Sequence, residues 1–126
     1  MITLCIPEAS PSLNEMKGKH WSFHHRLRKH WSMLILIARV QAQIPPSEPL
    51  DKLGVKIIRE GRRLLDLDNL VGGTKVVTDS LREQRLIIDD SPEHVSLSYE
   101  QRKVPKSGYP RTLIEITGGS PLQKRV

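Results

Sequence analysis

Cysteine is almost absent: the chain has one, Cys5. No internal disulfide can form, and a reducing cytosol is the compartment this favours. Cys5 sits inside ITLCI and reads as a small apolar strand residue rather than a catalytic thiol. Long apolar runs are missing as well. The longest, MLILIARV, falls far short of the ~20 residues that span a bilayer. The opening MITLCIPEAS has neither the basic leader nor the extended apolar stretch of a signal peptide. These absences point to a cytoplasmic protein with no membrane partner. Repeats, low-complexity tracts and an interdomain linker are lacking too. One domain over residues 1–117 is expected, with 118–126, GGSPLQKRV, as a flexible tail.

Acids are outnumbered. Twenty Lys and Arg against fourteen Asp and Glu give a formal net charge of +6 and a pI near 9.8. That balance favours an anionic partner, nucleic acid ahead of an acidic membrane surface or an acidic protein. With 126 residues, 37% hydrophobic and 27% charged, the chain is long and apolar enough to bury a core and is not disordered.

ITLCI, stopped by Pro7, reads as a strand. PEASPSLNEMKGKH has loop composition. A helical pattern runs from about Trp21 to Gln43, with Trp31, Leu34, Ile35 and Ala38 on one face and a stop at Pro45 and Pro46. KLGVKIIRE is a strand followed by the turn EGRR, and TKVVTDSLREQ a second helix. VSLSYEQRKV and RTLIEIT are two further strands, expected as a hairpin across PKSGYP. The order β-α-β-α-β-β predicts an α+β domain, a small mixed β-sheet packed with helices.

RRLLDLDNL carries Asp66 and Asp68 two positions apart. On an extended backbone both would point to one face while Leu65 and Leu67 faced the core. Two close anions persist if one keeps a proton, if Arg62 and Arg63 neutralise them, or if a divalent cation binds between them. DLDN can equally cap a following helix. LIIDDSPEH adds Asp89 and Asp90 one helix later, one expected to cap its own turn and the other to reach the site. Three or four carboxylates without His or Cys form a hard oxygen site suited to Mg²⁺, with Mn²⁺ as substitute. Lys75 lies between the acidic groups, as a charge stabiliser at a phosphate or as half of an i,i+4 pair with Asp79.

Residues 16–31, MKGKHWSFHHRLRKHW, hold Lys17, Lys19, Arg26, Arg28 and Lys29 with no acid among them. Four histidines and Trp21, Phe23 and Trp31 are interleaved. Cations of this kind contact phosphates, and exposed aromatics stack on unpaired bases or wedge into a distorted step. The alternative is a solvated cationic face with the tryptophans buried, and Trp31, on the apolar stripe, belongs to the core. Arg102, Lys103, Lys106 and Arg111 form a second basic cluster.

RRLLDLDNL, followed by TKVVTDSL and LIIDD, resembles the RusA family of Holliday junction resolvases, commonly of phages and prophages. PSLNEMKGKHW is similar to that family's opening, and the resemblance runs from about Pro7 to Thr117. It implies a RusA-like homodimer: an Mg²⁺-dependent endonuclease that resolves four-way DNA junctions by paired symmetric nicks in recombination and repair. Asp66, Asp68 and Asp90 would be the metal ligands and Lys75 the catalytic lysine. Lys17, Lys19, Arg26, Arg28, Arg62 and Arg63 would contact DNA, the two arginines touching the phosphate beside the acids. VGG, residues 71–73, departs from the pattern as an insertion before TK. Two glycines inside a helix cost about 1 kcal/mol each, so the helix is expected to begin near Thr74. The same departure leaves open a junction-binding protein of this fold without cleavage.

Overall fold

The computed structural model describes residues 1–45 and 48–120. Of the tail expected at 118–126, residues 121–126 therefore lie outside the described residues. The elements are β1 (Ile2–Ile6), α1 (Leu13–Met16), α2 (Trp21–Gln41), β2 (Asp51–Gly61), α3 (Leu67–Gly73), α4 (Lys75–Glu83), β3 (Val95–Lys103) and β4 (Arg111–Ser120). The fold is α+β; α1 is a helix where the sequence suggested loop, and α3 one where it suggested an extended stretch ahead of a helix beginning near Thr74. β4 takes in 118–120, whose register against β2 pairs Gly118 with Leu53 and Ser120 with Asp51.

The four strands form one mixed sheet in the order β1-β4-β2-β3. β4 is antiparallel to both β1 and β2, while β2 and β3 are parallel. The hairpin expected of β3 and β4 does not form, because β2 lies between them. β2 buries Leu53, Val55, Ile57 and Ile58, so its apolar faces are best satisfied at the centre of the sheet with a partner on each side. A parallel pair cannot be closed by a tight turn, and α3 with α4 supplies the crossover.

Alternate residues of the strands set the core. Leu4 and Ile6, Leu53, Val55 and Ile57, Val95, and Ile114 and Ile116 pack in one cluster with Trp31, Ile35 and Ala38 of α2 and Val76, Val77 and Leu81 of α4. Both long helices thus cover the same side of the sheet. The other side buries Ile58 and carries a polar ladder in which Lys56 lies 3.2 Å and Arg102 2.7 Å from Glu100. Cys5, expected as an apolar strand residue, alternates onto that side and is exposed.

Proline does not end α2. Gln43, at φ 58°, turns the chain left-handed; its amide reaches Val40 O and that of Ile44 reaches Arg39 O at 3.1 Å. That is a Schellman closure, with Ile44 packed back on the core. α4 ends in the same way at Arg85, φ 59°, with the Leu86 amide on Leu81 O.

Candidate functional site

The segment between β2 and α3 carries the first two acids, and four side chains fix it. Arg59, buried at the end of β2, donates to Ser10 O at 2.8 Å and to Arg63 O at 3.1 Å. Burial lowers its pKa, the nearby Glu15 opposing. Gln101 of β3 treats Leu65 as a strand neighbour would, accepting from its N–H at 2.8 Å and donating to its C=O at 2.7 Å. Arg62 donates to Pro105 O and Lys106 O, at 3.1 and 3.2 Å. Asp66 then caps α3: its Oδ1 accepts the Asn69 amide at 2.9 Å, and Asn69 Nδ2 reaches both carboxylate oxygens, at 3.1 and 3.0 Å.

This overturns the extended reading of DLD. Residue 67 is already helical, so Asp66 and Asp68 do not alternate to one strand face, and Leu67 is exposed rather than buried. Nor do Arg62 and Arg63 neutralise the acids; among the described residues neither makes an ion pair. The cap does that work. Donation from the Asn69 amide and then its side chain holds the Asp66 carboxyl below the ordinary range, with Lys17 adding to the effect. Asp68 lies exposed in the first turn of α3, where the helix dipole favours a negative charge.

The glycines expected to delay the helix lie inside it. A Cβ on Gly73 would stand 1.7 Å from Pro11 O, and one on Gly72 2.9 Å from the Leu13 side chain. The start of α1 is laid directly on the α3 backbone, an approach only glycine allows. Asn69 joins the two from the other side, its Oδ1 accepting the Asn14 amide at 3.0 Å. The basic segment that follows α1 is thereby held next to the acids.

Lys75 opens α4. Its ammonium is shared, 3.3 Å from Asp79 Oδ1 and 3.0 Å from Asp90 Oδ2. The i,i+4 pair read from the sequence is present, and the contact with Asp90, which the sequence did not suggest, is added to it. The bond to Asp90, ahead of that to Asp79, raises the lysine pKa; the bond from the Lys75 ammonium, ahead of a side-chain hydrogen bond shared with Asp89, lowers that of Asp90. Asp89 Oδ1 accepts the Asp90 amide at 2.7 Å, so the first of the pair caps and the second reaches Lys75. Arg82 lies 3.9 Å from both Asp79 and Asp89.

Two groups are thus assembled, Asp66–Asp68–Asn69 at the start of α3 and Lys75–Asp79–Asp90 at the start of α4. Among the described residues no three His, Cys, Asp or Glu side chains gather closely enough to hold a metal ion. The donor chemistry, carboxylate oxygen without sulfur or imidazole, is that of a hard divalent cation.

The basic residues divide by whether they have partners. Arg28 pairs with Glu83 at 3.5 Å, and Arg102 and Arg111 with Glu60. Lys17, Lys19, Arg26, Lys29, Arg63, Lys103 and Lys106 make no ion pair among the described residues. Arg62, Lys103, Val104, Pro105 and Lys106 line an open hollow of about 550 Å³ beyond the ends of β2 and β3.

Sequence reasoning passed over Asn69, Asn14, Gln101 and Arg59. Asn69 had a signal: an acid followed three residues later by an amide side chain is a capping pattern. The others act across the fold and had none. No family model matches the chain, and no curated protein matches it. No described helix is long and apolar enough to cross a membrane.

Proposed function

We propose that the protein is an Mg²⁺-dependent endonuclease of branched DNA, resembling the phage-type RusA resolvases and acting in the cytoplasm as a homodimer on four-way junctions. The observation that carries this reading is one juxtaposition. The crossover between the parallel strands presents Asp66, Asp68 and the Lys75–Asp90 pair along consecutive helices, and Lys17, Lys19 and Arg63 flank it without acid partners. A single domain with a β-α-β-α-β-β core, to which α1 and α3 are additions and whose last strand runs to Ser120 rather than ending at 117, is the finer form of the fold this implies.

In this reading Asp66, Asp68 and Asp90, which would have to draw together, would hold the ion, with Asn69 orienting the Asp66 carboxylate. Bound Mg²⁺ supplies Lewis acidity at the scissile phosphate and lowers the pKa of the attacking water. Lys75 keeps its proton, its pKa being raised by its acidic neighbours, and lends positive charge where it develops on the phosphoryl oxygens. The unpartnered cations bind flanking phosphates, which makes affinity fall steeply with salt. A two-fold dimer places two such sites on a junction with approximate two-fold symmetry, giving paired nicks.

A second reading, junction binding without cleavage, is favoured by one observation: the Asp66 and Asp90 carboxylates are already engaged, by Asn69 and Lys75. One assay separates the two. Wild type and Asp68→Asn are incubated with a synthetic four-way junction and its linear duplex, with and without Mg²⁺. The nuclease reading expects Mg²⁺-dependent nicking of the junction, lowered at least about a hundredfold in Asp68→Asn with binding retained. Equal cleavage by both proteins would remove Asp68 from the site. Binding with no nicking at any Mg²⁺ or Mn²⁺ concentration would leave the second reading.

A further inference from the structure

Trp21 and Trp31 lie on one helix and meet opposite fates. Trp31 is 2% exposed in the core, whereas Trp21, on the first turn of α2, is 70% exposed. Leaving an indole in water forgoes one of the largest burial gains available to a side chain. Its ring neighbours do not cover it. His20 lies 5.4 Å away at 42° and His25 6.4 Å away at 60°, both tilted rather than stacked flat. In the same segment Lys17, Lys19 and Arg26 have no acid partner among the described residues, and Lys19 stands over the Phe23 ring at 5.5 Å.

The position of this group follows from the packing of α1. That helix is fastened to α3 by Asn14 and Asn69 and by the close approach of Pro11 to Gly73. Gly18, at φ 71° with nothing near where a side chain would go, then turns the chain outward, and Trp21 comes five residues after Met16. An exposed indole in a segment of unpaired cations therefore follows within five residues of the helix fastened to the one that carries Asp66 and Asp68.

We infer that Trp21 is a stacking platform for an unpaired base of branched DNA, with Lys17, Lys19 and Arg26 holding the phosphates on either side. This rests on the nucleic-acid part of the function proposed above and not on cleavage. Every base has a π-face, so stacking is indifferent to sequence. In a continuous duplex both faces are covered by neighbouring pairs, and an indole gains access only by unstacking a step. Where strands exchange, the stack is interrupted and a face is open. Trp21 would thus discriminate branch points from duplex, while the lysines bind both.

The test uses the full chain in metal-free buffer with three DNAs: a four-way junction carrying 2-aminopurine at the branch point, the matching duplex, and a single strand. Wild type is compared with Trp21→Leu, and Trp31→Phe leaves Trp21 as the sole indole reporter; if that variant folds poorly, the emission difference between wild type and Trp21→Leu serves instead. Junction DNA is expected to quench Trp21 emission and change the 2-aminopurine signal. Trp21→Leu should weaken junction binding about ten- to a hundredfold and leave duplex binding within about twofold. Unchanged junction binding by Trp21→Leu, or an equal loss on duplex, overturns the inference. So does a change of Trp21 emission with protein concentration alone, which would assign the indole to a contact between copies. Junction binding without cleavage leaves stacking intact and removes only the nuclease. A wild type that does not distinguish junction from duplex overturns the inference too, and quenching by the single strand alone would then assign the indole to unbranched DNA.

Discussion

Gly73 shows how much one missing carbon positions. In an isolated helix, replacing it with alanine would gain about 1 kcal/mol of propensity. Here the added Cβ meets backbone, Pro11 O at 1.7 Å, which cannot rotate aside. Gly73→Ala is expected to destabilise the protein by about 1–3 kcal/mol in denaturant unfolding. Gly72→Ala, facing the flexible Leu13 side chain, should cost less. Lys75 sets a second expectation at this scale. Its bond holds the Asp90 carboxyl below the usual range, so the stabilisation is complete above the unfolded value near pH 4 and is lost as pH falls through the lower folded value. The lysine's own raised pKa keeps its share present up to the unfolded value near pH 10.5, and that share is lost as pH rises through the higher folded value. With the ammonium more than half exposed, the pair contributes about 0.5 kcal/mol. Lys75→Met should therefore lower stability at pH 7 by roughly that amount and make no difference at pH 2, measured by urea unfolding at both.

At the scale of elements, α2 and α4 both close with a residue other than glycine in the left-handed region. That conformation costs an L-residue roughly 1–2 kcal/mol. Gln43→Gly should accordingly raise stability by about 1 kcal/mol, read as a higher midpoint with an unchanged m-value. These closures also mark where the sequence was hard to read. Neither Gln43 nor Arg85 is a stop residue by type, and the prolines at 45 and 46 suggested a boundary later than the true one. The strands and the long helix were legible because their period is local. Val55, Ile57, Ile114 and Ile116 alternate, and Trp31, Ile35 and Ala38 recur at helical spacing. α3 was not legible, since its glycines argue against a helix until Pro11 is known to press on them. The missing hairpin fails for a similar reason: β3 and β4 are adjacent in sequence, but both pair with β2, whose demand for two partners is a property of the whole sheet. At the site, a cap within the Asp89–Asp90 pair and the Lys75–Asp79 pair were visible in spacing, whereas the Lys75–Asp90 contact was not. Of the two readings of DLDN, the helix cap is the one that holds, and the extended one, which set both acids on one face, is not.

For the whole molecule the unanswered surface is the outer side of α2. Met33, Leu36, Ile37 and Val40 are exposed there at i, i+3, i+4 and i+7, a second apolar stripe opposite the one in the core. The proposed homodimer has a use for it. The spacing is symmetric about its midpoint, so an antiparallel crossing of two copies sets Met33 against Val40 and Leu36 against Ile37, as a two-fold interface requires. A parallel crossing would bring the acid-free segments from Lys17 to Lys29 together, whereas the antiparallel one carries them to opposite ends. The hollow of about 360 Å³ beside the stripe, lined by His25, Lys29, Ser32 and Gln84 among others, would be covered as well. That addition matters, since a stable dimer buries about 1,200 Å² or more in total and four side chains per copy are too few. Ile37→Glu buries a like-charge pair near the centre of such an interface and leaves the core face of α2 untouched. Sedimentation equilibrium should then give a dimer for wild type and a monomer of unchanged helicity for the variant. A wild type that stays monomeric at high micromolar concentration would sink the two-fold arrangement and, with it, the pairing of nicks.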